Sequence, residues 1–258
     1  MSAYGMTCWH VCVTEDSPLG RRCRQSPHWL RPTGSLGGPC GERSPHLRQP
    51  AGWSRNRVWA ELYEQQPTKG EAMGLTSWAY GLAEGLLAES LPKRWAHSQQ
   101  VYREALALAP ILGDDADLLA AAAIVHDVGY ADAAVSTGQH MIDGGRYLQQ
   151  IDADPRICTL VALHTSSPWE AAELGLSEAL HDFVSVSDHL VDAITYCDLS
   201  SSPNGRPVQP EDRLQEVLDR YGPGHVVFRA VSAARPELLR MVQRVREKVS
   251  VASTARTV

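Results

Sequence analysis

The stretch LLAAAAIVHDVGY, residues 118–130, limits most strongly what this chain can fold into. Its first eight residues are all small or aliphatic, so a helix built from them has no polar face and must be enclosed by other elements. Asp114, Asp115 and Asp117 place negative charge at its start, where the helix dipole favours it. Gly129 is the expected stop at its end. His126 and Asp127 then fall on the last turn of a helix made to be buried. Both need partners, because an uncompensated buried charge is costly.

The sequence around this helix is also helical in pattern from Met73 onward. Helices are predicted over 75–90, 92–108, 139–151, 155–164, 178–199 and 210–222. Pro92 and Pro155 suit first turns. Residues 224–248 hold one or two more helices, with Pro236 as the expected break. Residues 200–210 read as a turn-rich loop with Asn-Gly at its tip. Alternating strand patterns are lacking, so the fold class is all-α, a bundle of about 7–9 helices. With only two Phe in the chain, aliphatic and Ala packing has to build the core. Cys158 and Cys197 sit in apolar helical patterns and read as small buried residues.

Residues 1–72 have no sustained hydrophobic period and are rich in Pro, Gly, Arg and Ser. They are expected to form a disordered or low-complexity leader, with a short helical turn at 58–65. A translation start at Met73 is the alternative, leaving 73–258 as the helical domain. Cys8, His10, Cys12, Cys23 and Cys40 lack a paired CxxC spacing, so no zinc site is expected there. The basic leader lacks a regular aromatic interleaving, and the net charge is −6, so a nucleic-acid partner is not expected. No run of 18 apolar residues and no secretory pattern occurs, which gives no membrane partner and a cytoplasmic location by default. Nothing in the sequence fixes an oligomeric state.

The polar residues can now be placed on helix faces. His97 shares a stripe with Val101 and Leu108, and His126 with Leu119 and Ala122. His164 falls in line with Ile157, Leu160 and Val161, and Asp198 with Val191 and Ile194. His140 opens a helix with Gly144 at i+4 and Tyr147 at i+7. A single buried histidine normally finds a backbone carbonyl. Six inward polar groups, counting Asp127, are better explained by a shared divalent cation, which removes the cost of burying two carboxylates.

The ordered set His97, His126-Asp127 within AAIVHDVGY, His140 within QHMIDGGRYL, His164 within LVALHTSS and Asp198 within ITYCDLSS resembles the HD superfamily of metal-dependent phosphohydrolases. The resemblance covers about residues 92–200 and extends toward 230. It implies two divalent ions, Mn or Fe, with Mg, Co, Ni and Zn as alternatives. His97, His126 and Asp198 would hold one ion and His140 and His164 the second, with Asp127 bridging. A hydroxide bridging the two ions would then attack the phosphoester of a small phosphorylated metabolite or nucleotide. His126 and Asp127 are the residues expected at the chemistry. Lys93, Arg94 and Arg146 are candidates to hold substrate phosphate. Arg206 and Arg213 flank a loop that could act as a lid. Gly144-Gly145 is not a phosphate loop and suits close helix packing. His10, His28, His46, His181, His189 and His225 show no convergence and read as ordinary histidines.

Some departures narrow the substrate. No GYP follows the doublet, and paired acids soon after it are absent, so cyclic dinucleotides and alarmones lose support. Leu163 stands where some two-metal members carry a second His, which bears on the second ion. Two other function classes use the same residues: a di-iron oxygenase cleaving a C–C or C–P bond, and a non-catalytic helical scaffold or ligand sensor.

Overall fold

The computed structural model describes residues 74–255. The expectations for the leader, for the turn at 58–65, for a start at Met73, for the early cysteines and for His10, His28 and His46 fall outside them. The described residues are all-α, with nine α-helices and one isolated antiparallel bridge between Ser201 and Pro207. In chain order these are α1 (Leu75–Leu87), α2 (Pro92–Leu112), α3 (Ala116–Val125), α4 (His140–Gln150), α5 (Pro155–Leu163), α6 (Ser167–Glu173), α7 (Asp188–Leu199), α8 (Pro210–Tyr221) and α9 (Val226–Ala255). Among the described residues, no helix is long and apolar enough to cross a membrane.

α3 is the helix that the apolar stretch demands. Leu118 to Val125 are all buried, and α1, α2, α5 and α7 pack around it. Its four central alanines let those neighbours come close, while Leu119 and Ile124 supply bulk. A second, smaller apolar cluster joins Leu199 at the end of α7 to Leu214 and Leu218 of α8 and Val231, Leu238 and Val242 of α9.

Several boundaries differ from the sequence expectation. α2 runs on to Leu112 with Pro110 in its last turn, where the missing N–H costs one hydrogen bond. α9 likewise continues through Pro236, held by the burial of Ala234, Leu238 and Val242 on one side. The helix expected over 178–199 is broken. A short 3-10 turn covers Ser177–Leu180, and α7 begins only at Asp188 after the extended Ser187. Between them the chain crosses α5, where Val184 O accepts the Thr159 hydroxyl at 2.9 Å and Phe183 approaches Gly145. α6 was not expected, although Pro168 near its start and Glu170 in its first turn are helix-start signals. The buried thiols of Cys158 and Cys197 agree with the sequence.

Gly129 is not the left-handed stop of α3. It lies in a 3-10 turn, Val128–Tyr130, at negative φ. Its backbone presses on the first turn of α4, so that a Cβ there would lie 1.9 Å from His140 O and 2.6 Å from Gly144 N. The glycine is required for this approach, which brings the end of α3 and the start of α4 together. Gly144 packs from the other side, in keeping with close helix contact.

Candidate metal centre

Each polar residue reaches the centre by a different local device. α3 ends at Val125, and His126 and Asp127 follow at its cap. There the chain leaves the helical path, so two adjacent side chains can point into one space. His126 is buried, and its Nδ1–H donates to Ala123 O at 2.8 Å. A carbonyl only accepts, so the proton sits on Nδ1 and the Nε2 lone pair faces inward. That Nε2 has no hydrogen-bond partner. It lies 3.5 Å from Asp127 Oδ1 and 4.0 Å from Asp198 Oδ1.

His164, at the end of α5, is oriented in the same way. Its Nδ1–H donates to Val161 O at 2.6 Å, and its Nε2 meets His140 Nε2 at 3.2 Å. His97 sits in the first half of α2. Its Nδ1 donates to Ser202 O at 3.0 Å, and Nε2 faces Asp198 Oδ1 at 3.0 Å. The loop after α7 is thereby tied to α2. Gly205 at φ +70° fits beneath Ala96, where a Cβ would lie 2.3 Å from the Ala96 carbonyl oxygen. This loop is therefore anchored beside the centre, not a free lid.

Asp127 stands between the two halves. Its Oδ1 lies 3.8 Å from His140 Nε2, and its Oδ2 lies 3.9 Å from His97 Nε2 and accepts Arg94 Nη1 at 3.2 Å. The Arg94 guanidinium lies 3.9 Å above the Tyr130 ring, and His140 stacks on Tyr130 at 4.3 Å. Asp198 Oδ2 takes the hydroxyl of Thr165, a residue at φ 51°. A β-branched residue there is strained, so the surrounding contacts must hold it.

Burial governs the charges. It pushes His126 down to about 4 and His140 down to about 3, against the pull of Asp127. Both stay neutral imidazoles, the form that binds a cation. For His97 burial also opposes the charge, but the hydrogen bond to Asp198 outweighs it and raises the pKa. Asp127 and Asp198 are held well below the usual carboxylate range in spite of burial. Charge does this for Asp127, from His126 once it is protonated and from Arg94 at any pH, and the His97 hydrogen bond leads for Asp198.

The arrangement fits a metal ion. Ligand atoms of His97, His126 and Asp198 lie within 4.8 Å of one another, as do those of His126, Asp127 and His164. A buried nitrogen lone pair without a donor, between two carboxylates, is the feature that a cation would satisfy.

All six side chains expected at the site converge. Of the three cations expected to hold substrate phosphate, Arg94 reaches the centre and Lys93 and Arg146 do not line its cavity. Lys93 is exposed and lies outside the cavity, and Arg146 is bound to Asp182 at 3.0 Å. His181, His189 and His225 stay away, beside Glu178, Asp115 and Tyr221. Sequence reasoning missed Tyr130, Thr165, Glu170, Arg220 and Tyr221 and placed Arg213 only beside a loop, whereas all six line the same cavity of about 100 Å³. It also missed Asp143. That buried carboxylate accepts Ser136 Oγ at 2.7 Å and the Thr137 and Gly138 backbone N–H groups at 2.8 Å, fixing the loop that leads into His140.

Comparison with known proteins agrees with this geometry. The family model described as "HD domain" matches residues 94–223, half of the chain. A curated relative, the tRNA (cytidine(56)-2'-O)-methyltransferase of Picrophilus torridus, is 27% identical over 128 residues. That match covers 48% of this chain and 35% of the relative, so the chain spans about a third of the relative's length. No solved structure matches.

Proposed function

The chain belongs to the HD domain family, and on that premise we propose that it is a metal-dependent phosphohydrolase acting on a compact phosphoester. The observation that carries this is the partnerless Nε2 of His126, with the imidazoles of His97 and His164 and two carboxylates around it. His97, His126 and Asp198 would hold one divalent ion, and His140 and His164 a second, with Asp127 between them. Mn or Fe suits this mixed nitrogen and oxygen set. Such ions supply an activated water and neutralise phosphate charge during displacement.

The protein's own groups favour an anionic, small substrate. Three arginines and three carboxylates line the cavity, Arg94, Arg213 and Arg220 against Asp127, Asp198 and Glu170. Their charges balance, so bound divalent cations add a positive excess that an anion would answer. The volume of about 100 Å³ is well under that of drug-sized ligand sites, roughly 300–1,000 Å³. This favours a small phosphorylated metabolite over a nucleotide. Arg94, pinned by Asp127 and Tyr130, keeps N–H groups to offer a phosphate oxygen. The methyl-transfer name of the relative does not enter, because the match covers only 35% of that protein. A scaffold reading leaves the His126 nitrogen unexplained.

The test is phosphate release from a panel of small phosphomonoesters by Mn- or Fe-loaded protein, under air and under argon. Release that is equal in both supports hydrolysis. Oxygen consumption without phosphate release would replace it by the di-iron oxygenase. Neither activity in metal-loaded protein would favour the scaffold.

A further inference from the structure

α8 turns one face to the cavity: Arg213, Leu214, Val217, Arg220 and Tyr221. The two arginines are seven residues apart, two turns of helix, or about 10 Å along the axis. Glu216 lies between them and accepts both, one guanidinium on each carboxylate oxygen. Among the described residues, Glu216 is the carboxylate that pairs with either. Two cations therefore share one anion, and one positive charge is left over. Each guanidinium has five N–H donors, so most remain free after this pairing. Arg213 is nonetheless nearly buried, its side chain 12% exposed. A half-compensated buried cation is costly unless a ligand completes it.

From this we propose that Arg213 and Arg220 form a second anion subsite, preset by Glu216, for an acidic group of the substrate remote from the scissile phosphate. Leu214 and Val217 lie between the two arginines in sequence and offer apolar contact to the short linker between the two acidic groups. The substrate class is then a compact phosphoester carrying a further phosphate or carboxylate. The subsite rests on the phosphohydrolase reading for its second half, the scissile group, but its own binding is measurable without turnover.

The experiment is calorimetric titration of the full chain, Mn-loaded and metal-free, with methylphosphonate, methylenebisphosphonate and phosphonoacetate. The two probes that carry a second acidic group should bind wild type about tenfold tighter than methylphosphonate. Phosphonoacetate and methylenebisphosphonate distinguish a carboxylate from a phosphate as the second group. Arg213→Gln and Arg220→Gln should each remove most of that preference, with helix content checked by circular dichroism. Arg220, being more exposed, serves if the Arg213 variant fails to fold. Arg240→Gln removes an exposed guanidinium paired with Glu237, and should keep the preference intact. Equal binding of all three probes by wild type, or a preference that survives both cavity variants, would overturn the subsite. Loss of the phosphohydrolase reading would look different: no phosphate released from any ester while the probe preference persists.

Discussion

His140 Nε2 and His164 Nε2 face each other at 3.2 Å. The His164 proton is committed to Val161 O, and burial keeps His140 neutral, down to about 3. One proton between the two nitrogens is the arrangement in metal-free protein, and a shared cation replaces it. His140→Ala or His164→Ala should then remove one ion and leave the other on His97, His126 and Asp198. Elemental analysis of each variant checks this. Loss of both ions, or of neither, would contradict the division into two sets.

Thr165 offers a test of how the carboxylate is held. Its hydroxyl binds Asp198 from a strained backbone position. Thr165→Ser keeps the hydroxyl and relieves the β-branch, so metal affinity should hold and stability should not fall. Thr165→Val keeps the shape and loses the donor, and metal affinity should drop about tenfold. Competition with a chelating dye measures both.

Gly129→Ala should be among the most damaging single-methyl substitutions in the chain. The added carbon would meet His140 O at 1.9 Å, and backbone on both sides would have to move. A loss of about 3 kcal/mol is expected, read as a shift of the urea midpoint. Metal affinity should fall with it, because the same contact sets the spacing of His126 and His140.

The pH dependence of the metal-free protein follows from the shifted groups. His126 and His140 have folded values near 4 and 3, against 6.5 for an ordinary histidine. Unfolded chain therefore takes up protons first, and stability present above pH 6.5 is lost as pH falls toward those values. Each such shift is worth on the order of 3 kcal/mol. His97 is raised, so its contribution has the opposite sign: full below 6.5 and lost as pH rises through its folded value. Two histidines outweigh one, and Asp127 and Asp198 add a further loss below about 3.8. Urea midpoints of chelator-treated protein should fall between pH 7 and 4.5, and His140→Ala should flatten that fall. A midpoint that rises on acidification would contradict the burial of neutral imidazoles.

Helix faces made much of this centre readable. Each of His97, His126, His164 and Asp198 continues an apolar stripe, and period alone points such residues inward. Arg213 and Arg220 were not readable in the same way. On an amphipathic helix a basic residue looks solvated, and it is the packing of α8 against α9 and the end of α7 that turns that face to the cavity. Arg146 failed for the converse reason. It follows a site histidine by six residues, but six positions on a helix point well away from the first, here toward Asp182. The break before Asp188 came from tertiary contacts at Phe183 and Val184 that local propensity does not contain.

The decisive measurement is the metal content of the full chain purified without chelator, beside His126→Ala. The wild type should carry about two equivalents of Mn or Fe. The variant should lose the ion held by His97, His126 and Asp198 while retaining most of its helix content, since a cap residue is replaced and α3 itself is untouched. Wild-type protein that stays metal-free after reconstitution, or a variant that keeps full occupancy, would contradict the account.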